Sequence, residues 1–411
     1  MEEANLKRVF APFLLPTLFL GACLLLASSA QAQKKKKDGP LNAPENCPYC
    51  FNDPALMQAA GLVSHGGVPF AKLDTKGVEE LLPTLDIYWI ESQHFVIGIA
   101  LATYKPKQSE RKKIRAELTE MSEALEEINP KAKLIDPWLR AHLYAYRMEK
   151  VWDRWLEIMQ VEDGNFPNQG SRWVLGTEYW GEGPYVGQAS KFEILVLPTA
   201  ESQVSFLRDQ YGLNHRLTQR WNILDRGALT ITTNLVENDL RRDGALHGHM
   251  AFNVAINMLD GYKNYSYDTP RWLSEGLAHF VEREIDPRFN SFDASEGFGG
   301  ITQSKSDWKT AVRKLVQSGE APRLAEMVAL RTYAEFELKH HYTCWSMTAF
   351  MIEELPEKYA CLNGGLHGIK GPDGRPDGTK MLDKHRRLFK ECFGMSYAQF
   401  DTAWRQWVTT L

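Results

Sequence analysis

Residues 243–282 read DGALHGHMAFNVAINMLDGYKNYSYDTPRWLSEGLAHFVE, and the reading of the whole chain turns on them. The first half places Leu246, Met250, Val254 and Met258 at helical spacing, with Phe252, Ile256 and Leu259 widening the apolar stripe. A polar, aromatic loop at 260–269 follows, and Pro270 stands ahead of a second helical pattern carrying Trp272, Leu273, Leu277, Phe280 and Val281. On that second helix Glu275 and His279 lie four apart and share a face. A histidine on one helix and a carboxylate on the next are ligands that a divalent metal accepts.

Trp272-Leu273-Ser274-Glu275-Gly276-Leu277-Ala278 matches W-x-x-E-G-x-A at every fixed position. In this the segment resembles the gluzincins, the peptidase-MA-like zinc metallopeptidases, whose other element is an H-E-x-x-H helix. That element is degenerate here. With His249 in the first-ligand place, Met250 stands where the family has its catalytic Glu and Asn253 where it has its second His. Glu275 follows Asn253 by 22 residues, a separation that suits the two helices of the family. A thioether can neither take a proton from a metal-bound water nor return it, so Met250 removes the usual general base. Asn253 offers zinc a weaker ligand than imidazole. The resemblance therefore implies the family scaffold without its usual chemistry.

Two arrangements of the site stay open at this level. His247, His249, Glu275 and His279 form one candidate metal set, with zinc the ion implied by the resemblance. His247 and His249 are two apart and point to opposite sides of a regular helix, so they converge only if the helix begins between them, at Gly248. Alternatively His249, Asn253 and Glu275 form a buried polar cluster that holds no metal. Tyr342 falls where some gluzincins place an oxyanion-stabilising tyrosine, and it is the one catalytic candidate.

With 411 residues, 44% of them hydrophobic and 11% aromatic, the chain can bury a large core. A net charge of −4 gives no electrostatic case for binding nucleic acid. Residues 1–32 read as a signal peptide: Lys7 and Arg8, an apolar run over 9–27, then Ala30-Gln31-Ala32 as a cleavage site. An uncleaved anchor, or lipidation at Cys23 in the lipobox-like Leu20-Gly21-Ala22-Cys23, would instead tie the chain to a membrane. Export to a periplasmic or extracellular space is the expectation either way.

Residues 33–79 comprise a Lys-rich linker and the segment Cys47-Pro48-Tyr49-Cys50. A C-x-x-C here has three readings: a local disulfide, a redox pair, or half of a metal site with His65 as a further ligand. The disulfide is the expected one, with Cys361 and Cys392 as a second pair and Cys344 a buried thiol on an apolar helix face. Residues 80–235 form an α+β part: strands within 82–100, helices over 109–160, a strand at 191–198, a helix at 200–212, and a strand at 228–235. By the resemblance, that last strand is an edge strand that pairs with extended substrate. A Gly- and Trp-rich connection at 164–187 carries Trp173, Tyr179, Trp180 and Tyr185, rings that would suit a peptide or carbohydrate groove.

Residues 236–411 are mainly helical, so the fold class is α+β, a small mixed sheet followed by a gluzincin-like, thermolysin-like helical part. The function this implies is an exported pseudopeptidase that binds peptide or cell-envelope polymer. A hydrolase with an atypical His/Glu metal site, and a redox or metal-handling role at Cys47 and Cys50, remain beside it.

Overall fold

The structure, a computed structural model, describes residues 40–167, 181, 183–237, 240–262, 269–292, 307–367, 369–370, 376–377 and 379–411. The signal-peptide reading, the Lys-rich run and the rings of Trp173, Tyr179 and Trp180 lie outside them. The described residues belong to one unit, Gly39–Leu411. Among them no helix is long and apolar enough to cross a membrane.

The first elements are short: α1 (Pro54–Ala59), β1 (Leu62–Ser64), the hairpin β2 (Pro69–Phe70) and β3 (Leu73–Asp74), and α2 (Thr75–Leu81). Strands β4 (Tyr88–Ser92) and β5 (Phe95–Ile99) form a hairpin; then come α3 (Arg111–Met121) and α4 (Pro137–Met159). Asp136 starts α4 by accepting from the Leu139 amide, with Pro137 at the first helical position, and Gln160 ends it in the left-handed conformation. Next follow β6 (Phe192–Leu197), α5 (Ala200–Tyr211) closed by Gly212 at φ +71°, β7 (Gln219–Ile223) and β8 (Ala228–Asn234). The remainder is helical: α6 (Asp243–Tyr262), α7 (Arg271–Ile285), α8 (Trp308–Ser318), α9 (Leu324–Ala329), α10 (Leu338–Glu354) and α11 (Pro356–Gly365). After a two-residue hairpin, β9 (Ile369–Lys370) and β10 (Pro376–Asp377), the chain ends in α12 (Met381–Phe393) and α13 (Tyr397–Val408).

The main sheet runs β1-β4-β5-β6-β8-β7, with β5, β6 and β8 parallel and the outer pairs antiparallel. A central parallel ladder must be covered on both faces. Here α2 and α5 close one face around Phe70, Val78, Leu195, Leu197 and Phe206, while α4 and α6 lie under the other. This makes the fold α+β with a mixed sheet, as the sequence predicts. One placement differs. Residues 228–234 are not the edge: β8 sits between β6 and β7, all seven residues buried, and the edge on that side is β7, paired antiparallel. The alternation in ALTITTN separates two buried faces, and Thr230 meets this burial by donating to the Glu193 carboxylate.

Helix α4 links the two halves. Arg147, buried, donates to Glu117 on α3 at 2.7 Å and to Asp243 at the start of α6 at 2.8 Å. Asp243 is held below the usual carboxylate range by Arg147 despite its burial, which by itself pushes the other way.

Candidate metal-binding groups

The helix α6 begins at Asp243 and runs unbroken through both candidate histidines, so His247 and His249 point apart. His247 is buried, and burial, with the charges of Arg147 and Lys113, holds it neutral well below its usual pKa. His249 is fixed by three neighbours. Its Nε2 lies 2.7 Å from Thr218 Oγ1, its Nδ1 lies 2.9 Å from Ser291 Oγ, and Asn253 donates to its backbone carbonyl at 2.9 Å. Arg220, on the edge strand β7, donates to Asn253 Oδ1 at 2.9 Å. Burial and that guanidinium push His249 down to about 3. Met250 is buried in the core.

Glu275 and His279 come together with a residue the sequence reading did not single out, His341 on α10. His279 Nε2 lies 3.0 Å from His341 Nδ1, and Glu275 Oε2 lies 3.6 Å and 3.7 Å from these two nitrogens. All three side chains are fully buried. The centre of that triangle is about 2 Å from each corner, the distance at which zinc takes imidazole nitrogen and carboxylate oxygen. Burial keeps both imidazoles neutral, the state in which they ligate. Behind His279, Nδ1 lies 3.5 Å from Glu282 Oε2, and Glu282 accepts from the Ser291 amide at 3.0 Å. A carboxylate behind a ligating imidazole is a common outer partner.

Gly276 explains how α10 comes so near. A Cβ there would lie 2.2 Å from Thr348 Oγ1 and 2.7 Å from the Cys344 carbonyl, so only glycine lets α7 and α10 approach to this depth. His279 then sits in an aromatic box of Phe252, Phe292 and Trp308. Tyr342, next to His341, packs its ring on Trp308, and among the described residues its hydroxyl makes no hydrogen bond.

The second group corrects the cysteine reading. Cys47 and Cys50 are not joined; their sulfurs stand 3.5 Å apart, both buried, each against a histidine. Cys50 Sγ lies 2.9 Å from His65 Nε2, and Cys47 Sγ lies 3.2 Å from His142 Nε2 on α4. The Cys50 thiol donating to Cys47 lowers the Cys47 pKa, and the same contact raises that of Cys50. Sequence reasoning placed His65 with the cysteines but not His142, which lies 95 residues from Cys47. The other cysteine expectations agree with the structure: Cys361 and Cys392 are bonded and Cys344 is a buried thiol.

The described residues thus define an α+β protein with two buried groups, Cys47/Cys50/His65/His142 and Glu275/His279/His341, each able to hold a metal ion. The chain matches no family model, and no curated protein matches it by sequence.

Proposed function

We propose that the chain is an exported, non-catalytic relative of the gluzincins that holds an extended peptide or cell-envelope polymer along β7. The observation that carries this reading is Arg220. Its guanidinium is bonded to Asn253, the second-ligand place of the family motif, beside His249, the first. A fixed positive charge there repels the ion a peptidase needs, and no carboxylate stands at position 250 to activate water.

The remaining acceptors have moved inward. Glu275, His279 and His341 would hold a zinc ion as a closed structural centre, because a catalytic ion keeps a position open to water and these side chains have no exposure. β7 supports the binding role. It is an outer strand of the sheet, most of its residues are half-buried, and it carries Arg220 toward the old site. An extended chain adding to such an edge gains main-chain hydrogen bonds, with side-chain pockets supplying selectivity.

The test is a hydrolysis screen over peptides and cell-wall fragments, paired with a binding titration. No turnover, with binding weakened at least tenfold in Arg220→Glu, is expected. Turnover that vanishes in Glu275→Ala would overturn the reading.

A further inference from the structure

We infer that Cys47, Cys50, His65 and His142 form a closed tetrahedral zinc site that clamps the N-terminal segment onto α4. Two thiolates and two imidazoles suit a borderline-soft divalent ion. Their ligand atoms lie within 4.8 Å of one another, and all four residues are buried or nearly so. Two thiolates balance the charge of a divalent ion, so the loaded centre is neutral and can stay out of water. Loading releases the thiol protons to solvent, and no electron moves.

The surroundings fix the ligands in the required state. His65 Nδ1 lies 3.0 Å from the Trp89 carbonyl of β4; donating there leaves the Nε2 lone pair facing Cys50. Trp138 stands edge-on to the His65 ring. Immediately after Cys50, Phe51 and Asn52 both take φ +55°, a tight reversal closed by the Asp53 amide donating to the Cys50 carbonyl at 2.8 Å. Tyr49, between the cysteines, donates to Asp136, the cap of α4, and its ring lies edge-on to His142 of that helix. Trp138 Nε1 donates to the Leu41 carbonyl at 3.1 Å. The segment is short of regular structure of its own, since α1 has six residues and β1 three. A metal linking it to α4 supplies what its small core does not.

A redox role is the competing reading of C-x-x-C, and burial opposes it, because exchange needs a thiolate that a partner sulfur can reach.

The deciding measurement uses the full chain, purified without a metal-binding tag and loaded with cobalt as a spectroscopic stand-in for zinc. The expected result is one tetrahedral cobalt with thiolate-to-metal charge transfer, lost in Cys50→Ser and unchanged in Glu275→Gln. That last variant separates this site from the Glu275 centre and from the binding function. If Cys50→Ser does not fold, the wild-type spectrum decides alone. Absence of the charge-transfer band in the wild type, or a native mass two hydrogens light at Cys47–Cys50, would overturn the inference.

Discussion

The two buried groups sit in contrasting parts of the molecule. Glu275, His279 and His341 are carried by α7 and α10, helices already packed closely at Gly276 inside the buried core. Cys47, Cys50, His65 and His142 come from a loop, the residue after a three-residue strand and a long helix. In the first case the fold brings the ligands together. In the second the ligands hold a segment that has little else to fix it. The same ion would therefore be dispensable to folding at one site and needed at the other.

His142→Ala is expected to produce the largest loss, because metal removal is among the few single changes that exceed about 4 kcal/mol. Hydrogen exchange should then rise across residues 40–74 while α7 and α10 stay protected. Uniform exposure would erase the contrast.

Acid should come next. His249 is held neutral down to about 3 by burial and Arg220, whereas an unfolded histidine takes its proton near 6.5. The unfolded state thus binds the extra proton between those values. Stability falls by about 1.4 kcal/mol for each pH unit below 6.5 until the folded group also titrates. Chemical denaturation across that range in wild type and His249→Gln checks it: the variant should show a shallower acid limb with unchanged metal content.

Gly276→Ala should cost about 1–3 kcal/mol by overpacking and separate His341 from His279. Loss of metal from the Glu275 centre, with cobalt charge transfer intact at the cysteines, would sharpen the division between the two groups. Arg220→Ala should cost about 1 kcal/mol, since its half-buried guanidinium donates to Asn253 Oδ1 and to the Tyr333 hydroxyl. A melting curve settles that.

Much of the fold could be read locally. Pro137 after Asp136, Gly212 after α5 and the apolar stripe of α6 each act within a turn of the chain, so composition and spacing reveal them. Glu275 and His279 were legible because one helical turn joins them. His142 and His341 were not: each is one histidine on a buried helix face, and its partner lies 95 or 62 residues away. β8 was expected at an edge through the family resemblance, yet it lies inside the sheet, where Thr230 donates to the buried Glu193. The free thiols of Cys47 and Cys50 depend on both histidines arriving, which a four-residue motif does not encode.

The separation of 77 positions from His65 to His142 also sets a schedule. At a synthesis rate of about 5–20 residues per second, His65, the last of the three earlier ligands, precedes His142 by roughly 4–15 seconds. During that interval three ligands are available and the fourth is still unmade. Disulfide formation begins on the scale of seconds, so an oxidant and zinc compete for the same sulfurs while the chain is young. Cells starved of zinc should then accumulate molecules bonded at Cys47–Cys50, shut out of the clamp before α4 exists.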